Sequence, residues 1–337
     1  MFSPDLEHDA LFRRGPLLAF DPARPLQPQR EAIAEKLRRA LGDTPEATDP
    51  APECTLTETT DEWSEYRIVF NAEKNVKAVC TFLLPTGVDQ APLAVCLQGH
   101  STGMHISLGR TVFPNDAIDG DRDIALTAVR RGFAALCLEQ RGMGERRTDR
   151  SDVRIPDTGS PRCRYTAMNA LLLGRTLIGE RLFDISRAID VVLSLFSCVD
   201  PERILCMGNS GGGTATYYAA CMDERIGVAI PSCSVCTYRD SIAAMYHCPC
   251  NYLPGAAKYF DMGDLAALIA PRRLIVVAGA EDGIFPLQGV QKSARTIKAI
   301  YEAAGVPERF SLVVGEGGHR FYKELAWAAF DRMRPWG

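Results

Sequence analysis

The sequence lacks several features that would place it in a functional class at once. It has no run of about twenty apolar residues, so we expect no membrane span. It has no excess of basic residues: the net charge is −4 and the pI about 5.8, which argues against a nucleic-acid partner. No P-loop, dinucleotide-binding fingerprint or haem signature is present. We therefore expect no cofactor.

The N-terminal residues predict the cellular compartment, and the compartment in turn predicts the state of the cysteines. The first residues, Met1 to Asp9, lack the basic and then apolar pattern of a secretory signal, so we expect a cytoplasmic protein. In a reducing compartment the twelve cysteines should form no structural disulfides. Five cysteines lie within apolar segments, where a free thiol packs as a small hydrophobe: Cys80, Cys96, Cys137, Cys206 and Cys221.

The length of 337 residues suits one large domain with an appendage. We divide the chain into an N-terminal helical extension, residues 1–55, and a main domain, residues 56–337. The extension starts with an irregular, proline-rich lead-in. A helix is predicted from Gln29 to Leu41, with Ile33 and Leu37 on its apolar face and Gly42 ending it. This helix either packs on the main domain or forms a dimer contact. The sequence is therefore compatible with a monomer and with a homo-oligomer.

The main domain alternates between predicted strands and helices. That rhythm predicts an α/β fold with a mostly parallel central sheet and helices on both faces. The predicted strands are residues 66–70, 76–84, 92–97, 133–138, 203–207, 226–230, 274–278 and 310–314, the first two forming an antiparallel hairpin. The predicted helices are 124–131, 178–196, about 287–304 and 320–333. Residues 237–264 interrupt this alternation. We interpret them as a lid-like insertion that forms the acyl- or alcohol-binding wall, with a surface excursion as the alternative.

The segment Gly208-Asn209-Ser210-Gly211-Gly212 lies between a short apolar strand and a predicted helix. In this context Gly-x-Ser-x-Gly predicts a sharp strand-to-helix turn that exposes the serine oxygen in a strained conformation. The start of the following helix favours negative charge that develops there. Ser210 is therefore the candidate nucleophile.

A serine hydroxyl needs a base, and the base needs a carboxylate to orient it. His319 follows the last predicted strand on a glycine-rich loop, and it is the best placed of five histidines. Asp282 or Glu281, after the strand 274–278, could serve as the carboxylate. We prefer Asp282, because Gly283 and Pro286 should turn the chain and aim its short side chain inward.

Two backbone N–H groups should complete the site by holding an oxyanion. One is that of Gly211, directly after the nucleophile. The other should come from the loop that follows strand 92–97, and we assign it to His100, whose neighbour Gly99 allows a close approach. Residues expected around the substrate pocket are Gln98, Met104, Arg141, Asn209, Tyr246, Ile284 and Phe285.

Together these segments resemble the dienelactone-hydrolase and acetyl-xylan-esterase-like group of α/β-hydrolases. The resemblance spans about residues 60–335 and rests on the motifs 98–100, 139–144, 208–212, 279–286 and 318–319. Gln98-Gly99 replaces the usual His-Gly. Ser210 stands where dienelactone hydrolases carry cysteine, which favours ester hydrolysis. The basic residue that follows the serine in glucuronoyl esterases is absent.

The resemblance implies a serine hydrolase that cleaves acetyl or other short-acyl carboxylic esters through an acyl-enzyme. Its partner would be a small-molecule ester. An amidase or peptidase with the same residues, a non-catalytic binding protein of this fold, and a zinc-dependent hydrolase remain alternatives.

Two weaker patterns involve cysteine pairs and an arginine-rich loop. Cys233, Cys236, Cys248 and Cys250, with His247, could bind zinc, but we favour packed thiols and expect no metal. The loop between residues 141 and 164 interleaves arginines with carboxylates and is typical of a self-paired, solvated loop. Within it, Arg141 follows a strand end and could brace the active-site loops.

Overall fold

The computed structural model describes residues 2–114, 116–148 and 161–336. Part of the arginine-rich loop, including Arg150 and Arg154, lies outside the described residues. Within these ranges no helix is both long and apolar enough to cross a lipid bilayer. The described cysteines are all free thiols, and the five in apolar segments are buried.

A nine-stranded sheet runs through the molecule. Its strands are β1 Glu53–Thr59, β2 Trp63–Glu73, β3 Val76–Pro85, β4 Ala91–Leu97, β5 Ala134–Leu138, β6 Val199–Asn209, β7 Ile226–Ser232, β8 Arg273–Gly279 and β9 Phe310–Gly315. The spatial order is β1-β2-β3-β5-β4-β6-β7-β8-β9. The pairs from β1 to β5 are antiparallel, and every pair from β5 to β9 is parallel. The mostly parallel sheet predicted from the sequence is confirmed.

Helices cover both faces of this sheet. They are α1 Asp5–Arg13, α2 Leu26–Leu41, α3 Ile124–Arg130, α4 Cys163–Leu172, α5 Leu177–Leu195, α6 Gly211–Met222, α7 Ala256–Tyr259, α8 Leu287–Ala303 and α9 Lys323–Met333. One hydrophobic core joins α2, α5, α6 and α8 to the sheet, and a second joins α3 and α9 to its other face. This two-sided burial explains why the central strands are apolar without alternation.

The N-terminal region differs in part from the sequence expectation. The lead-in contains α1, a helix with no buried residue. Helix α2 begins three residues earlier than predicted and ends at Gly42, which adopts a positive φ of 81°. Its Ile33 and Leu37 are fully buried in the core that it shares with the sheet. Strand β1 runs across the boundary that we placed between residues 55 and 56.

The insertion at residues 237–264 contains α7 and a short 3₁₀ turn, Pro249–Asn251. The N-terminal segment pairs with it: the N–H groups of Leu17 and Leu18 donate to the carbonyl oxygens of Lys258 and Tyr259 at 2.9 and 2.7 Å. Thr214 on α6 donates a hydrogen bond of 3.1 Å to Asn251. The insertion is therefore tied both to the N-terminal segment and to the helix behind Ser210.

Candidate active site

Ser210 occupies the turn between β6 and α6, with φ 55° and ψ −119°. A non-glycine residue rarely adopts this conformation, so the surrounding chain must hold it in place. The Ser210 N–H donates to the carbonyl oxygen of Ser232 on β7 at 2.8 Å. Gly212 allows the tight packing, because a Cβ atom there would lie 2.0 Å from the carbonyl oxygen of Leu97. The strained strand-to-helix turn predicted from the sequence is present.

Asp282 and His319 meet at the same edge of the sheet, on the loops that follow β8 and β9. Asp282 Oδ2 lies 2.8 Å from His319 Nδ1. The N–H groups of Ile284 and Phe285 donate to the other oxygen, Oδ1, at 2.8 and 3.1 Å. The Asp282 side chain is fully buried, whereas Glu281 is exposed. The structure thus places Asp282, and not Glu281, against the histidine.

The charge state of Asp282 reflects these contacts. Burial by itself would raise the pKa of its carboxyl group. The hydrogen bond and the positive charge of His319, with the two backbone N–H donors, outweigh burial and hold the pKa below its ordinary value. Asp282 is therefore a carboxylate at neutral pH, the form that accepts a hydrogen bond from an imidazole N–H.

Ser210 and His319 both line one cavity of about 510 Å³. No hydrogen bond joins their side chains in the described part of the chain. The ring of Phe285 stacks on His319 with centroids 6.0 Å apart and limits the directions in which the imidazole can turn. Catalytic hydrogen bonds are often long without a bound substrate, so this geometry is compatible with proton transfer.

The backbone N–H groups of His100 and Gly211 have no hydrogen-bond acceptor among the described residues. Both residues line the cavity beside Ser210. Gly211 is the first residue of α6, so its N–H has no partner within the helix. Two unpaired N–H donors beside a serine hydroxyl are the groups that an oxyanion would require.

Five of the seven residues expected in the pocket line the cavity: Gln98, Asn209, Tyr246, Ile284 and Phe285. The other two do not, and the prediction for them was wrong. Met104 is 5% exposed and packs in the core with α3. Arg141 is buried in an ion-pair cluster, where it bonds Asp184 through two nitrogens at 2.7 and 2.8 Å and Glu73 at 2.7 Å.

Part of the cavity wall was not predicted from the sequence. Cys163 and Arg164 at the start of α4 line it, as does His247 of the insertion, which the sequence suggests only as a zinc ligand. Met245 also lines it and belongs to the segment expected to form the acyl- or alcohol-binding wall. No periodicity pointed to α4, whose apolar residues are spread around the helix. The insertion itself supplies six lining residues: Met245, Tyr246, His247, Cys248, Pro249 and Asn251.

Glu139, after β5, supports the loop that carries His100. Its Oε1 accepts a hydrogen bond from Gln98 Nε2 at 2.8 Å and one from the Met104 N–H at 3.1 Å. Burial raises the pKa of Glu139 to about 7, although the backbone hydrogen bonds act in the opposite direction. The sequence signalled this residue only as part of the motif 139–144.

We expect the raised pKa of Glu139 to make stability depend on pH. A carboxyl group whose pKa is higher in the folded state stabilises the protein below its unfolded pKa, ordinarily 4.5, and loses that contribution as pH rises through 7. The free energy of unfolding of wild type, minus that of Glu139→Gln, should therefore fall by about 3 kcal/mol between pH 4 and pH 8. Urea denaturation at both pH values measures this difference.

Glu145→Gln is the control with the opposite sign. The hydrogen bond from Arg67 lowers the pKa of Glu145, so its stabilising contribution is present above the unfolded pKa and is lost on acidification. The free energy of unfolding of wild type, minus that of Glu145→Gln, should therefore rise with pH. Equal pH slopes for the two variants would contradict the assignment at Glu139.

The strained serine turn, the sheet topology and the placement of the acidic and histidine loops define the α/β-hydrolase fold, and this chain has that fold. Structural comparison supports the same class. A solved structure of a presumed acetyl xylan esterase from Bacteroides fragilis NCTC 9343 matches with a TM-score of 0.77 and 16% identity, over 97% of this chain and 84% of the other. A glucuronoyl esterase from Solibacter usitatus matches with a TM-score of 0.67 and 16% identity, over 92% of each chain.

One curated relative is similar in sequence. YtaP of Bacillus subtilis (strain 168), named as a presumed hydrolase, is 26% identical over 312 residues, which are 90% of this chain and 98% of that protein. No model of a known protein family matches the chain. At these identities the solved structures establish the fold, and the reaction has to be argued from the site.

Proposed function

We propose that the protein is a serine hydrolase that cleaves carboxylic esters carrying acetyl or other short acyl groups. The observation that carries the proposal is the meeting of Ser210, the buried Asp282–His319 pair and two free backbone N–H donors at one cavity. The similarity to acetyl xylan and glucuronoyl esterases supports an ester rather than an amide substrate.

In the proposed mechanism, Ser210 Oγ attacks the ester carbonyl carbon while His319 Nε2 accepts the hydroxyl proton. The N–H groups of His100 and Gly211 hold the carbonyl oxygen as it becomes negative. His319 then returns the proton to the departing alcohol, which leaves an acyl group on Ser210. A water molecule, deprotonated by His319, attacks the acyl carbon, and the carboxylic acid is released with Ser210 restored.

Charge in this scheme is stabilised by Asp282. The imidazole becomes positive twice in each cycle, and the buried carboxylate beside Nδ1 offsets that charge at a distance of 2.8 Å. The two backbone N–H groups that hold Asp282 Oδ1 keep the carboxylate from rotating away. Asp282 therefore fixes which imidazole nitrogen faces Ser210.

The test is hydrolysis of p-nitrophenyl esters from acetyl to octanoyl, combined with labelling by a fluorophosphonate. We expect turnover of the short-acyl esters, and the chain length at which kcat/KM falls will show how much of the cavity of about 510 Å³ is open to the acyl group. Mass spectrometry should locate the phosphonyl group on the peptide that contains Ser210. Absence of both turnover and labelling would contradict the proposal, as would labelling of another residue.

A further inference from the structure

A cluster of four metal-ligating side chains lies against the candidate active site. His100 comes from the loop after β4, and Cys163 begins α4. In the insertion, Cys248 directly precedes the 3₁₀ turn and Cys250 lies within it. Their ligand atoms all lie within 4.8 Å of one another. His100 Nε2 is 3.0 Å from Cys250 Sγ, which is 3.1 Å from Cys248 Sγ. We propose that these four residues bind one Zn²⁺ ion.

The chemistry and spacing of the set fit zinc. Three thiolates and one imidazole form a familiar tetrahedral donor set for a structural zinc ion. With ligand bonds of about 2.0–2.3 Å, the edges of such a tetrahedron are about 3.6–3.8 Å, within the span observed here. The 3.1 Å separation of Cys248 and Cys250 is longer than a disulfide bond of about 2.05 Å.

A buried arginine gives an independent reason to expect thiolates in this cluster. Arg181 on α5 is 1% exposed and forms no ion pair with a carboxylate among the described residues. Its guanidinium donates to the carbonyl oxygen of Arg141 at 2.7 Å and to Cys163 Sγ at 3.1 Å. A buried cation requires a negative partner. A zinc ion with three thiolates carries one net negative charge, which Arg181 would balance.

These four residues differ from the zinc ligands that the sequence suggested, which included Cys233 and Cys236. Cys233 lies beside Asp282 and His319, and Cys236 is buried against Met262. Neither joins Cys248 and Cys250. The sequence grouped the cysteines by proximity along the chain, whereas the fold brings His100 and Cys163 to the insertion from distant segments.

With four protein ligands the proposed site is closed, so the ion would be structural. It would join the β4 loop, α4 and the insertion at one point beside Ser210. The His100 ring packs on Gly211: a Cβ atom at Gly211 would lie 2.7 Å from two of its atoms. The consequence for catalysis rests on the proposed function, in which the same two residues supply the oxyanion N–H groups. Zinc would then position those groups without touching the substrate.

The first experiment measures metal content. Protein is produced in zinc-supplemented medium, purified with a reductant and analysed by elemental mass spectrometry. We expect about one zinc per chain in wild type and less than about a fifth of that in Cys163→Ser and Cys250→Ser. Cys236→Ser and the exposed Cys54→Ser should retain the full content. Zinc-free wild type, or zinc retained by both ligand variants, would overturn the proposal.

A second measurement on the wild-type chain does not depend on whether the variants fold. Metal-free, reduced protein is titrated with Co²⁺, and the sulfur-to-cobalt charge-transfer band and the visible bands of tetrahedral Co²⁺ are recorded. Saturation at one equivalent, with Zn²⁺ displacing the Co²⁺, supports the site. No thiolate band overturns it. A disulfide among the three cysteines in protein purified without reductant, together with no metal, also overturns it.

The two proposals fail separately in these experiments. Ser210→Ala should keep one zinc per chain, whether or not the wild type hydrolyses esters. Chelation that strips zinc from the wild type should lower kcat for p-nitrophenyl acetate at least about tenfold, with recovery on adding Zn²⁺ back. Zinc binding without ester hydrolysis would retain the metal site and remove the proposed function. Ester hydrolysis by a wild type that contains no zinc as purified and binds no Co²⁺ would retain the proposed function and remove the metal site. Hydrolysis that is unaffected after chelation would contradict only the positioning role of zinc.

Discussion

Ser210→Ala should lower kcat/KM for p-nitrophenyl acetate by about a thousandfold or more. Without Oγ no acyl-enzyme can form, and the two N–H donors together with His319 retain only a small capacity to activate water directly. The substituted side chain is small and the turn is held by backbone contacts, among them the 2.8 Å hydrogen bond to Ser232. The fold should therefore survive, and steady-state kinetics with purified protein measures the loss.

Ser194→Ala is the matched control. Ser194 lies on the exposed face of α5, and among the described residues its hydroxyl donates to the carbonyl oxygen of Val191. We expect this variant to keep wild-type kcat/KM. Thermal unfolding of both variants near the wild-type temperature would show that the loss at Ser210 is chemical. Full activity in Ser210→Ala would contradict the serine mechanism.

The parts of the fold that follow from local patterns were predictable from the sequence. The eight strands expected in the main domain are all present, because each buries apolar side chains on one or both faces. The loops at their carboxyl ends follow from the parallel arrangement, which brings Ser210, Asp282 and His319 to one edge. The choice of Asp282 over Glu281 depended on a turn at Gly283, and the described geometry agrees with that choice.

Elements without a buried face could not be predicted in this way. All seven residues of β1 are exposed, so no apolar alternation marks it, and it is defined only by its hydrogen bonds to β2. Helix α1 buries no residue and lies in a segment where prolines suggested irregular chain. Strand β1 therefore gains its structure from its pairing with β2 rather than from its own composition.

Contacts between residues that are distant in the sequence could not be predicted either. Arg141 follows a strand end, which suggested a place in the pocket, yet it turns toward three carboxylates contributed by β2 and α5. Its partners Glu73, Glu180 and Asp184 lie far away in the sequence, and no local pattern connects them. The same limit explains why the cysteines were grouped with the wrong neighbours.

Asp282→Asn should lower kcat by about a thousandfold or more while leaving KM for p-nitrophenyl acetate within about threefold of wild type. An amide cannot offset the charge of the imidazolium, and its NH₂ group facing His319 Nδ1 would favour the wrong tautomer. The N–H groups of Ile284 and Phe285 could still bond the amide oxygen, so the loop should keep its shape. Stopped-flow or steady-state assays at pH 7 to 8 measure kcat directly.

Glu281→Gln is the control that separates the two carboxylates left open by the sequence. Glu281 is exposed, and its side chain makes no hydrogen bond to His319 among the described residues. We expect its kcat to stay within about threefold of wild type. A large loss in Glu281→Gln with little loss in Asp282→Asn would contradict the geometry at His319.

Because Asp282 acts only through the histidine, Asp282→Asn should lower kcat no more than His319→Ala does. Adding Asp282→Asn to His319→Ala should change kcat little further. That non-additivity is the sign that the two residues act as one unit on Ser210.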